Sequence, residues 1–351
     1  MGSLARVVTC TVAAVLTALP AASLGAAPVA SAHAAEFGGR ASSFTIEDER
    51  ITESSGLAAS RAHPGVYWTH NDSDDGPYVY AVDSATGRTV ATVTLRGIGD
   101  PRDVEAVSVG PDGRVYVADI GDNMGGTWPK VWIYAFPEPK RLADTTVTAT
   151  QYTVQYDGGP RDAEAMMVHP KTGRVYIVSK EKQDAGLYAG PAKLSATGTN
   201  RFTRVTDVDL WVTDGAFSPD GEHLVLRGYF EVGLYAWRGG RIEHIGEPRM
   251  PIQQQGEAVT YTLDGGTLMY GTEGEHSRVA AVRLDDDLLS PQARLERERS
   301  GGEDGKGGRG GKDSAGDDAK EADSGNYYVA GVLIVVCTAI GMAARRLLGR
   351  K

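Results

Sequence analysis

One phrase occurs twice in this chain. Residues 102 to 123 read RDVEAVSVGPDGRVYVADIGDN, and residues 161 to 182 read RDAEAMMVHPKTGRVYIVSKEK. Each is an apolar run, a turn marked by Gly and Pro or Thr, and a second apolar run, which is the pattern of two strands joined tightly. A single strand pair cannot bury its own apolar faces, so copies must stack on one another, and the repeat restricts the fold to an array or a ring. Fainter copies begin at Ser54 (SSGLAASRAHPGVYWTHNDSDD), Thr213 (TDGAFSPDGEHLVLRGYF) and Gly256 (GEAVTYTLDGGTLMYGTEGE). With Gly56, Glu105, Glu164, Gly215 and Glu257 aligned, the copies recur at roughly 40–60 residues, the period of propeller blades.

A copy reads as four strands. In the second they are Glu105 to Val109, Val115 to Ile120, Val131 to Phe136 and Thr146 to Tyr156; in the third, Glu164 to Val168, Val175 to Ser179, Gly186 to Ala189 and Phe202 to Leu210. The fifth copy shows only EAVTY, TLMYG and RVAAVRL, while SSFTIEDERI, residues 42 to 51, has strand composition and precedes the first. The expectation is an all-β propeller of five four-stranded blades, in which the N-terminal strand completes the last blade and removes two open edges. Six blades is the alternative, if the longest interval hides a degenerate copy. Tyr67, Trp68, Tyr116, Trp132, Tyr134, Tyr176, Tyr235 and Trp237 follow strand spacing and are assigned to the packing between blades.

Both ends of the 351-residue chain read differently from its middle. Arg6, the apolar run from Val7 to Leu19 and the small-residue site Ala32-His33-Ala34 make residues 1–34 a secretory signal peptide by pattern. The propeller is assigned to 35–295, and a charged Gly-rich stalk to 296–326, whose composition cannot bury enough apolar surface to offset ordering. From Tyr327 to Ala344 an uncharged apolar run of about 27 Å, at about 1.5 Å per residue, is expected to cross a membrane as one helix. Arg345, Arg346, Arg350 and Lys351 then form a basic tail, 345–351, on the cytoplasmic side. The expected location is therefore the cell membrane, single-pass, with the propeller outside.

Composition excludes several functions. The two cysteines, Cys10 and Cys337, fall in the signal and the span, so the exported domain has neither disulfides nor thiolate metal sites. A net charge of −10 opposes nucleic acid as a partner and suits cations or basic ligands. There is no G-x-S-x-G elbow and no HExxH spacing.

The repeat itself carries the candidate chemistry. Innermost strands of a propeller line its channel, and Asp103, Glu105, Asp162, Glu164, Asp214 and Glu257 stand at the entrances to those strands. The ends of the second strands diverge between copies, with His70, Lys180, Arg227 and Glu273 as rim candidates. Three roles are open for the acids. They cap turns and bond the backbone amides of the next blade; they hold a hard cation, Ca²⁺, with Asp72, Asp119, Asp122 and Asn123 as further oxygen ligands; or they work as acid and base, with Lys180 or Arg227 holding an anionic group.

The segments HNDSDDGPYVYAVDSATG, DVEAVSV with VYVADIGDN, DAEAMMV with VYIVSKE, FSPDGEHLVLR and GEAVTY with GTEG resemble bacterial secreted β-propeller proteins of the broad WD40-like group, over roughly residues 53 to 285. The resemblance implies the fold. The repeated Gly-His and Trp-Asp signature of WD40 blades is missing, and no catalytic motif of the calcium-dependent lactonases or phytases can be placed here. The function expected is binding of an extracellular small molecule, glycan or protein at an acidic channel mouth, and the alternative is a Ca²⁺-assisted hydrolase or lactonase.

Overall fold

The structure, a computed structural model, describes residues 41–72 and 75–304, with side chains to Arg299. The expected signal peptide, the expected span 327–344 and the basic tail lie outside the described residues, as does the stalk beyond Asp304.

The chain opens with a short strand, β1 (Phe44–Thr45), and then builds meanders. The first is β2 (Ser54–Ala59), β3 (Val66–Asn71), β4 (Tyr78–Asp83) and β5 (Thr89–Arg96). The second is β6 (Val104–Val109), β7 (Arg114–Asp119), β8 (Val131–Pro137), β9 (Thr145–Thr148) and β10 (Thr150–Tyr156). The third comprises β11 (Ala163–Val168), β12 (Val175–Ser179), β13 (Gly186–Ala189) and β14 (Thr199–Asp207), and the fourth β15 (Val212–Phe217), β16 (His223–Gly228), β17 (Val232–Arg238) and β18 (Arg241–Gly246). The last is β19 (Gly256–Tyr261), β20 (Thr267–Thr272) and β21 (Arg278–Arg283), followed by a 3-10 turn and a helix, α1 (Pro291–Asp304).

The first strands of the five meanders, β2, β6, β11, β15 and β19, lie side by side, and β19 returns to β2. That closed ring is a propeller hub. The core is divided accordingly into five clusters, each filled from two consecutive meanders. Trp68 and Val79 meet Tyr134 and Phe136 between the first and second, and Phe44, Tyr67 and Tyr80 meet Ala258 and Met269 between the first and last. Because each meander is packed on both faces, strands such as β3, β11 and β19 are buried along their whole length and show no polar alternation. Phe44 pairs with Val279 and Thr45 with Arg278, so the N-terminal strand is hydrogen-bonded to the last meander.

Five separate four-stranded blades with a membrane-spanning helix is nevertheless the wrong description. Among the described residues the hydrogen-bonded sheets number four, with four, eight, four and five strands. The run expected as one strand, 146 to 156, breaks at Ala149. Its first half, β9, runs parallel to β5 as a fifth strand on the first meander, from Val93 paired with Thr145 to Arg96 paired with Thr148. Its second half, β10, pairs with β8 and also, in parallel, with β14, fusing the second and third meanders into the eight-stranded sheet. The longest interval in the repeat therefore carries this edge strand rather than a sixth blade. Among the described residues no helix is long and apolar enough to cross a membrane. Helix α1 carries Arg294, Glu296, Arg297, Glu298 and Arg299, and docks by Ala293 beside Leu288 and Leu289 on the cluster between the fourth and fifth meanders.

Candidate functional site

Every inner strand carries a β-bulge at the same point. Pairing skips from Val104 to Ala106, from Ala163 to Ala165 and from Val212 to Asp214, and likewise passes over Ser55 with Gly56 and Glu257 with Ala258. A bulge leaves its extra residue outside the ladder and re-aims the side chain. The residues so released are Ser55, Glu105, Glu164, Thr213 and Glu257, all buried. This register corrects the sequence alignment, which had used Gly56 and Gly215. Where the bulge residue is a hydroxyl, it ties the ring: Ser55 Oγ donates to the Glu105 carbonyl at 3.2 Å, and Thr213 Oγ1 to the Glu257 carbonyl at 2.8 Å. Where it is an acid, the carboxylate is directed at the hub.

The second strands end at the same end of the ring, because each pairs antiparallel with its inner strand. The residues one step beyond the last pair are Asp72, Ile120, Lys180, Tyr229 and Glu273. Backbone bonds from Asp72 to the Glu53 carbonyl, Lys180 to Asp162 and Glu273 to Gln255 repeat this placement. Tyr229 is the functional candidate that sequence reasoning missed, since its equivalence to Lys180 appears only in the strand register.

Two halves of the hub differ in chemistry. On the first two meanders Asp72, Asp103 and Glu105 bring a carboxylate oxygen each to within 4.8 Å of one another. The Val104 amide donates to the Asp72 carbonyl at 3.1 Å, which holds the two loops together. Burial pushes the Glu105 carboxyl well above the usual range; Asp72 and Asp103 push it further, and Lys180 opposes them. Gly121 allows this crowding: a Cβ there would lie 2.3 Å from Glu105 Oε1 and 2.7 Å from the Asp103 carboxyl carbon.

Opposite, on the third and fourth meanders, Lys180 forms an ion pair with Glu164 and donates to Tyr229 Oη at 2.9 Å. Glu164 is 4% exposed, and its other oxygen has no hydrogen-bond partner. The Glu257 carboxyl is raised by burial, against the charges of Lys180 and Arg227 and a bond from the Tyr229 hydroxyl. Asp162 is also raised by burial, and accepts the Asp122 amide at 2.8 Å.

The other candidates make the following contacts. Asp214 accepts the Gly215 amide at 2.7 Å and the Val259 amide of the next meander at 2.8 Å. Arg227, 1% exposed, donates to the Ala258 and Gly271 carbonyls and to Gln253, and burial lowers its guanidinium to about 10. Asp119 accepts the amides of Arg102 and Asp103 and the Tyr134 hydroxyl. Asp122 accepts from Thr127 and Trp128, and Asn123 donates to Asp103 Oδ2 at 3.0 Å. Of the four additional Ca²⁺ candidates, only Asp72 joins the three-carboxylate cluster. His70 is fully buried with Nδ1 on the Asn71 carbonyl, and desolvation lowers it to about 4. Glu273 accepts from Gln255 at 2.8 Å.

No family model matches the chain, and no curated protein matches it by sequence. Solved structures are similar to it at low identity. A gluconolactonase from Xanthomonas campestris is 15% identical with a TM-score of 0.43, over 69% of this chain and 79% of that one. A chain of Kuenenia stuttgartiensis hydrazine synthase is 14% identical with a TM-score of 0.38, over 71% and 70%. The WD40 repeats of RRP9 are 9% identical with a TM-score of 0.38, over 70% and 98%.

Proposed function

We propose that the chain is a binding propeller whose acidic hub holds a divalent cation, Ca²⁺, and through it a ligand. The observation that carries this reading is the trio Asp72, Asp103 and Glu105, the last two buried and Asp72 half-buried, whose oxygens converge from two meanders. Carboxylates this close repel one another unless a proton or cation lies between them. Three hard oxygen donors suit Ca²⁺, whose 6–8 positions leave room for ligand oxygens.

A second reading, cation-assisted hydrolysis, is favoured by Glu257. Its carboxyl is raised by burial and bonded by the Tyr229 hydroxyl, so it keeps its proton to higher pH than an ordinary carboxyl.

Thermal unfolding of the full chain with Ca²⁺ and with EDTA tests the first reading. Ca²⁺ at a hundred times its Kd stabilises by about 2.7 kcal/mol, and Asp72→Asn and Glu105→Gln are expected to remove that rise. Identical midpoints in Ca²⁺ and EDTA would rule the reading out.

A further inference from the structure

The hub is polarised, and its lysine-bearing half, where Lys180 is paired with Glu164, is not explained by cation binding. Lys180 uses two of the three donors of its ammonium, on Glu164 and Tyr229. Its side chain is 12% exposed, and its two bonds leave one ammonium donor for a ligand. Two residues on, the exposed Lys182 places Nζ 4.5 Å from the centroid of Trp211, and Trp211 packs edge-on against Tyr229 at 5.0 Å. Two ammonium groups and an aromatic pair thus stand on the third and fourth meanders, across the hub from three carboxylates on the first and second.

A free anion is repelled from this end of the ring by the surrounding acids. A cation at the trio would cut that repulsion and, with 6–8 positions, would leave room for ligand oxygens. We propose that the ligand of this hub is a small oxyanion, a phosphate monoester or a carboxylate, bound in bridging fashion between the cation at Asp72, Asp103 and Glu105 and the ammonium groups of Lys180 and Lys182. Trp211 and Tyr229 flank the organic part. The inference rests on the cation reading above and adds the class of molecule the cation recruits. It also fixes an order: the anion binds only to the cation-loaded protein.

Calorimetric titration of the full chain with methyl phosphate and with lactate, each in Ca²⁺ and in EDTA, tests this. At least one probe is expected to bind in Ca²⁺ and neither in EDTA. Lys182→Met removes an exposed charge without stranding a buried partner, and is expected to weaken the probe fivefold or more while Ca²⁺ affinity stays within about twofold. Lys180→Met is expected to weaken it further, in protein shown to be folded by its unchanged far-ultraviolet circular dichroism. If Ca²⁺ binds but neither probe does, or the probe binds equally in EDTA, or Lys182→Met leaves it unchanged, the inference falls while the cation site stands. If Ca²⁺ itself fails to bind, the underlying reading falls with it.

Discussion

Two acids one bulge apart show how residue context decides role. Asp214 follows the bulge of its strand and accepts two backbone amides, one from the next meander, so its charge is consumed in holding the ring together. Glu105 is itself the bulge residue, and its side chain is released into a cluster of like charge. A carboxyl whose folded value is raised binds more protons in the folded state, so its favourable contribution is complete below its unfolded value of about 4.3 and is lost as pH rises through the folded value. Without cation, then, Glu105 contributes less to stability at neutral pH than it does below pH ~4. Glu105→Gln is expected to raise the unfolding midpoint in EDTA at pH 7.5 by about 1–2 °C, the shift that about 1 kcal/mol gives in a chain of this size, and the gain should vanish towards pH 4.5. A variant less stable than the parent at both pH values would contradict that assignment of the charge.

At the scale of the element, the sequence showed the inner two strands of each meander clearly. Pairs such as Glu105 to Val109 with Val115 to Ile120 are continuous apolar runs around a Gly-marked turn, and both fell within a residue of β6 and β7. The outer strands were harder to read. Nothing local in Thr146 to Tyr156 announces a break at Ala149, because the two halves are separated by their partners, β5 on one side and β8 with β14 on the other. Bulges escaped for a related reason: a bulge is a relation between two strands, and the E-A-V and E-A-M phrases alone do not say which residue leaves the ladder. Tyr229 became visible only through that register. Gly121 belongs to the same level of description, since it lies just beyond β7 and has an ordinary backbone conformation, so its role is space for the acids. Gly121→Ala is expected to displace Glu105 and Asp103 and weaken Ca²⁺ at least tenfold, with a change of about 1 kcal/mol or less in urea stability. Undiminished Ca²⁺ affinity would show that the crowding at Gly121 does not shape the site.

For the molecule as a whole, ring closure turns sequence distance into proximity. Asp72, Asp103, Glu105, Glu164, Lys180, Tyr229 and Glu257 meet because β19 packs beside β2 and β1 is stitched onto β21. The sequence predicted this convergence of acids through the repeat, but not its division into a carboxylate half and a lysine–aromatic half, which depends on which strand ends carry which residue. The most direct measurement is the anomalous scattering of a lanthanide substituted for Ca²⁺ in crystals of the full chain. One strong peak is expected at about 2.3–2.6 Å from oxygens of Asp72, Asp103 and Glu105. A peak away from these three residues, or none at an occupancy that saturates binding in solution, would contradict the account.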